Sequence, residues 1–242
     1  MEGIKTTDVY YNKFIKYLTT YIKRDGIDEF IEWINTTDAS VAPASTKYHM
    51  SKVGGLIKHS LNVFFRLIKI INMEYPNQDD CPYSKESLAL VSLLHDISKV
   101  NFYEISTRNV KNQDTGEWST VPYFSCRPDD KRLVFAYHEE NSLYILQHFF
   151  KLTYDEAMAI RWHSGSCSSN DYRNIGESMT AFRHSKLALY LHMADMMACL
   201  IDENSDIECN NIDFFNDFIY SEENDDEQVA DGTTPEAEET PF

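Results

Sequence analysis

At 242 residues, with 43% hydrophobic and 13% aromatic side chains, the chain has enough apolar surface for one sizeable core and a tail. Its net charge of −17 is unevenly spread: residues 202–242 carry 15 acidic side chains and no Lys or Arg, which leaves the first 201 residues at −2 and argues against a blanket grip on long nucleic acid. Five scattered cysteines (Cys81, Cys126, Cys167, Cys199, Cys209), odd in number and without a CxxC pair, argue against a disulfide framework and suit a reducing compartment.

The first residues, MEGIKTTDVYYNKF, lack the apolar stretch of a signal peptide, and no apolar run approaches the roughly 18 residues of a membrane helix, so a cytoplasmic protein with no membrane partner is expected. Residues 8–24 place Tyr10, Phe14, Ile15, Leu18, Tyr21 and Ile22 at helical spacing. Asp25-Gly26 ends that helix, and DEFIEWIN predicts a second, short one. These N-terminal helices, within residues 1–40, are expected to pack on a core domain over 41–202. After a loop at 37–48, Gly54-Gly55 precedes LIKHSLNVFFRLIKIINMEY, a long amphipathic helix carrying His59. Residues Ser84–Ser98 predict a helix with the pair His95-Asp96 near its C-terminal end.

The next stretch, 102–124, flanks Asp114-Thr115-Gly116 with β-branched and aromatic residues and reads as a β-hairpin. Helices are predicted again at 138–150, 153–163 and 184–202. A C-terminal segment follows over 203–220, and 221–242 has almost nothing to bury and is expected to be a disordered acidic tail. The fold class is therefore all-α with a β-hairpin insertion.

The chemistry sits in residues that interrupt apolar helices. Taken alone, His95-Asp96 in SLLHDISK fits a metal site, a catalytic hydrogen-bonded pair, or a helix end where both side chains meet water. Five elements together supply His59, His95, Asp96, His138, His163 and Asp195. Asp195 interrupts LALYLHMADMMACL, where an unpaired carboxylate is costly. Four imidazoles and two carboxylates suit one or two divalent ions of the Mn or Fe type, with Mg or Ni as alternatives.

In this pattern the chain resembles the HD-domain metal-dependent phosphohydrolases, whose signature is H…HD…D, with two further histidines in two-metal members. GGLIKHSLNV, the lead-in APASTKYH, HDISK, RWHSG and the TRNV…W…VPY hairpin are all similar to a bacterial and phage branch of that family, over roughly residues 40–202. Two places depart from it. Ser98 stands where the family has Gly, and YHEENS stands where relatives read GHGEKS, which leaves the backbone around His138 less permissive. The resemblance implies an HD-domain helical bundle. It also implies one ion on His59, His95, Asp96 and Asp195, with Asp96 bridging to a second on His138 and His163, and hydrolysis of a phosphoester by metal-activated hydroxide.

In that reading Asp96 and Lys99 are the catalytic residues, Lys99 holding phosphate as a point charge. His49, Arg108, Arg127 and Arg161 are substrate-binding candidates beside Lys99. A nucleotide is the expected substrate. A 3′-end exonuclease of the HD type is the enzymatic alternative, and a non-catalytic metal-binding interaction module is the other. His148 and His184 read as surface residues, and His192, one turn before Asp195, as a supporting hydrogen-bonding residue. The ending EAEETPF is similar to the acidic tips of bacterial single-stranded-DNA-binding proteins, which suggests a protein partner for the tail ending at Phe242, against the plainer reading of a solubilising tail. Members of the family often form homo-oligomers.

Overall fold

The computed structural model describes residues 2–165 and 172–203, with side chains from residue 9 and, after the break, from residue 175. The expected acidic tail at 221–242, and all of the 203–220 segment except residue 203, lie outside the described residues. What is described is mostly helical, with one two-stranded antiparallel sheet, as the hydrophobic periodicity predicts. No described helix is long and apolar enough to cross a membrane.

Helix α1 (Glu2–Tyr21) buries Phe14, Tyr17, Leu18 and Tyr21 along one stripe, continued by Ile22 just past its end, and packs that stripe against α3 and α4. It stops three residues earlier than the spacing predicts, because the backbone N–H groups of Lys23 and Arg24 both donate to Glu86 Oε1, at 2.7 and 2.8 Å. Helix α2 (Ile27–Asn35) sets the fully buried Phe30 against Phe149 and Phe150, with ring centroids 5.4 Å apart in both pairs. Helix α3 (Gly55–Glu74) is buried on nearly all sides of its first four turns and forms the centre of the bundle, with Phe64 and Phe65 in the core.

Helix α4 (Lys85–Leu94) begins at Ser84, whose side chain accepts from the Ser87 N–H, and every residue from Leu88 to Leu94 is buried. The prediction ran this helix through Ser98. It ends at Leu94 instead, His95 caps it, and Ile97–Lys99 tightens into a 3₁₀ turn. That turn aims His95 and Asp96 inward rather than along a straight helix.

Strands β1 (Tyr103–Lys111) and β2 (Trp118–Cys126) pair from Tyr103↔Cys126 to Lys111↔Trp118. The loop between them is organised by Asn112, whose Oδ1 accepts from the N–H groups of Asp114 and Thr115. Most of the hairpin is exposed, Ile105 and Trp118 included.

Helix α5 (His138–Leu146) is shorter than predicted, the chain turning through 147–150 before α6 (Tyr154–Trp162). A capping box between Thr153 and Glu156 starts α6. Helix α7 (Tyr172–His184) has no counterpart in the sequence reading. It is polar on average, with Gly176 in its interior, although Ile175, Met179 and Phe182 keep helical spacing. Helix α8 (Lys186–Met197) packs on α6 and α3, and a π-helical turn at Ala198–Asp202 extends it.

The loop before α3 is fixed by contact. A Cβ on Gly55 would lie 2.0 Å from the Met50 carbonyl oxygen, a backbone atom that cannot give way cheaply. Gly55→Ala is therefore expected to destabilise the fold by about 1–3 kcal/mol through overpacking. A denaturant midpoint equal to that of the unchanged chain would show that the loop shifts freely.

Candidate metal centre

His95 and His163 are held by the same local device. Each caps a helix (α4 and α6) in helical conformation, and each Nδ1 donates at 2.8 Å to the carbonyl three residues back, Ser92 for His95 and Ile160 for His163. The third histidine, His59, lies on the buried face of α3, and its Nδ1 donates to Glu203 Oε1 at 2.8 Å. With Nδ1 acting as donor in all three, each Nε2 faces the cluster and, in the neutral ring, presents a lone pair, the tautomer that a metal-ligating histidine needs.

Those three Nε2 atoms converge on Asp96. Its Oδ2 lies 3.6 Å from His59 Nε2 and 3.5 Å from His95 Nε2, and its Oδ1 lies 3.4 Å from His163 Nε2 and 3.6 Å from His138 Nε2. Asp195, from α8, adds an oxygen 3.1 Å from His59 Nε2, while His59 and His95 bring their Nε2 atoms to 3.2 Å of one another. One carboxylate thus stands between two pairs of imidazoles.

The donor set fits divalent ions. His59, His95 and Asp96 form one group of donors within 4.8 Å of each other, and Asp96, His138 and His163 form another. Asp96 Oδ1 is buried without a hydrogen-bond partner, an arrangement that needs an explanation in a native core and finds one in a cation. The electrostatics agree. Burial favours the neutral form of Asp96, but Lys99, His95 and His163 overcome it and hold its carboxyl well below the usual range. Burial works the same way on Asp195, and its His59 contact outweighs it and keeps the acid ionised. For His59, burial opposes charge, yet its hydrogen bonds with Asp195, Cys199 and Glu203 hold its pKa well above the ordinary value. A site that attracts protons so strongly attracts cations, and metal entry displaces the His59 proton, so affinity should strengthen as pH rises.

Above this cluster opens a cavity of about 550 Å³, whose walls include Asp96, Lys99, His138, His163 and Asp195. That volume lies within the range typical of small-ligand sites. Lys99 donates to Asp96 Oδ2 at 2.5 Å and faces the same space. His49 reaches the wall from the loop before α3, and burial keeps it neutral with a pKa pushed down to about 4. His138 is the most accessible of the four candidate ligand imidazoles. Its Nδ1 lies 3.2 Å from Glu139 Oε2 and its Nε2 lies 3.1 Å from Ser164 Oγ. Ser98, the residue standing where the resembling family has glycine, donates to the His138 carbonyl at 2.8 Å and so helps to place this ligand.

The six proposed ligands, Lys99 and His49 come together here, but the three arginines singled out as substrate-binding residues do not line this cavity. Arg108 lies over the Tyr123 ring on the hairpin, 5.3 Å from its centroid. Arg127 holds Asp38 at 2.9 Å and the Tyr103 carbonyl at 2.8 Å, tying the hairpin base to the loop after α2. Arg161 pairs with Glu140 at 2.6 Å and covers Trp162. His192 donates to the His163 carbonyl at 2.6 Å, and a Cβ on Gly165 would press into its ring at 2.9 Å. His148 and His184 are exposed.

Sequence reasoning missed two residues here. Arg132 lines the cavity with its guanidinium 4.7 Å from the Phe102 centroid, paired with Asp129 and with its Nε buried and unpartnered. Glu203 has a side chain with no solvent exposure, and it accepts from Asn62 at 3.2 Å as well as from His59. No motif marks Arg132, and Glu203 is camouflaged by the acidic run that follows it. Comparison with known protein families, with curated proteins and with solved structures returns no match for this chain.

Proposed function

We propose that this chain is a metal-dependent phosphohydrolase of the HD-domain type, acting on a phosphoester of a nucleotide. The observation that carries the reading is Asp96. Each of its oxygens faces two imidazole nitrogens, one of them has no other partner, and the carboxylate forms the floor of an open cavity beside a lysine.

One or two transition ions of the Mn or Fe class, held by His59, His95, Asp96, Asp195, His138 and His163, would supply an acidified water and offset charge on phosphoryl oxygens. The protein's own side chains do the rest. Lys99, whose pKa is pushed up despite burial by the adjacent Asp96, stays cationic and binds a phosphate oxygen. Arg132 offers a second cation at the rim, already ordered against Phe102. Phe102, Tyr103 and Tyr137 give the wall a flat apolar surface suited to a nucleobase. Asp195 and the backbone carbonyls of Ser92 and Ile160 hold the imidazoles in register.

The test is metal analysis of gently purified protein, then a hydrolysis screen over nucleotides, cyclic nucleotides and short oligonucleotides. Bound transition metal at about one to two ions per chain, with turnover of a mononucleotide, is expected. Protein that takes up no metal on reconstitution and releases no product would overturn the reading. Preference for oligonucleotide ends would move it to an exonuclease.

A further inference from the structure

His59 has a second cluster on its Nδ1 side, away from the ring nitrogen that faces Asp96 and Asp195. There His49, Cys199 and Glu203 gather, and with His59 they offer four donor atoms within 4.8 Å of one another. The His49 and His59 ring centroids are 4.7 Å apart.

Two atoms in this cluster lack partners. Glu203 uses Oε1 to accept from His59 and Asn62, but its Oε2 is buried and makes no hydrogen bond, although the side chain is fully inaccessible. His49 Nε2 is likewise buried and unpartnered. Orphaned donors and acceptors of this kind are rare in native interiors, and here they fall on two residues of one donor group.

We propose that His49, Cys199 and Glu203 bind an additional borderline transition cation, of the zinc or cobalt class, distinct from the Asp96 cluster. A thiolate, an imidazole and a carboxylate form a donor set that favours such ions over Mg or Ca. All three ligands are placed by rigid parts of the fold. Cys199 and Glu203 lie four residues apart on the π-helical turn and its end, so both project to one side. Arg66 anchors that turn through a two-pronged pairing with Asp202. His49 sits in the loop that Gly55 presses against α3, where its backbone carbonyl accepts from Ser45 Oγ at 2.8 Å. Cys199 Sγ donates to Asp195 Oδ1 at 3.5 Å and would release that proton to solvent on binding an ion. Glu203 keeps Oε1 on His59 while Oε2 takes the ion, so occupancy of this site reaches a residue of the main cluster. The proposal stands whether or not the cavity hydrolyses anything.

The probe is cobalt(II) added to the full-length, chelator-stripped protein. A thiolate-to-cobalt charge-transfer band is expected, lost in Cys199→Ser and retained in Asp96→Asn, with at least about tenfold weaker cobalt binding in His49→Ala. X-ray absorption on the unsubstituted chain should find one sulfur at about 2.3 Å, which keeps the test valid even if the Cys199 variant folds poorly. No band, or a band that survives Cys199→Ser because another cysteine makes it, overturns the proposal. A band lost in Asp96→Asn also overturns it, since the two sites would then be one.

Discussion

An Asp96→Asn protein is expected to lose at least about a thousandfold in hydrolysis, roughly 4 kcal/mol of transition-state stabilisation, together with most of its transition-metal affinity. The size of the effect follows from position. Asp96 is the only described carboxylate placed against both imidazole pairs, so its replacement weakens both groups at once. Asparagine keeps the shape and one acceptor oxygen but presents an amide to His163 or to His59, both of which are held by the negative charge of Asp96 or its neighbours. Lys99 also loses its partner in a nearly enclosed position, so the variant should be less stable as well. Measuring turnover and thermal midpoint on the same sample separates the two effects. Lys99→Met removes the cation and keeps the cluster, so it should raise the substrate KM while leaving bound metal unchanged. Turnover by Asp96→Asn within tenfold of the unsubstituted chain would remove Asp96 from the reaction.

The candidate ligands on α3, at the end of α4 and on α8 were legible because they break a rule of their surroundings. A histidine on the inner face of α3 and a carboxylate amid Leu, Met and Ala in α8 are costly unless something compensates, and that cost is visible in a one-dimensional pattern. The direction in which a loop carries an arginine leaves no such mark. Arg108, Arg127 and Arg161 were sensible by sequence distance, yet Asp38, Glu140 and an aromatic face take them up, while Arg132 arrives at the cavity from a four-residue run of mixed charge. The helices followed the same logic. The fivefold stripe from Phe14 to Ile22 and the apolar run in α4 are strong signals, whereas α7 is polar on average and has a glycine in its interior. The end of α4 was misplaced because the 3₁₀ turn after it depends on tertiary contacts of Ser98 with Ser142 and His138.

The acidic C-terminal count misled in one respect. It grouped Asp202 and Glu203 with the acidic C-terminal residues, since charge composition alone cannot tell a paired acid from a solvated one. Arg66 and His59 claim them for the fold, and Glu203 becomes part of the histidine's support. Asp202 and Glu203 thus belong to the helical body, and Glu203 touches one of the proposed metal ligands.

Arg24→Met is expected to destabilise the fold by about 3–5 kcal/mol near neutral pH, the largest stability effect anticipated from a residue remote from the cavity. Arg24 grips Glu156 with two parallel bonds at 2.9 and 2.8 Å and reaches Glu86 at 3.2 Å. Glu156 is inaccessible to solvent and also accepts from Ser87 and from the Thr153 N–H, so loss of the guanidinium strands a buried charge. For both acids burial favours the neutral form, but the Arg24 contacts prevail and their pKa values fall below the ordinary 4.5. Their contribution is therefore full above that value and is lost as pH falls through the depressed values. In Arg24→Met the Glu156 charge is unfavourable instead, so protonation relieves it, and the difference between the two proteins should shrink on acidification below 4.5. Urea denaturation at several pH values measures this, and a gap that stays constant or widens on acidification would contradict it. The network pins the N-terminal ends of α4 and α6, the two helices whose opposite ends present His95-Asp96 and His163. Precise placement of three converging candidate ligands needs both ends of each helix fixed, and Arg24 fixes the N-terminal ends from just past α1, on a part of the chain that carries no candidate ligand of its own.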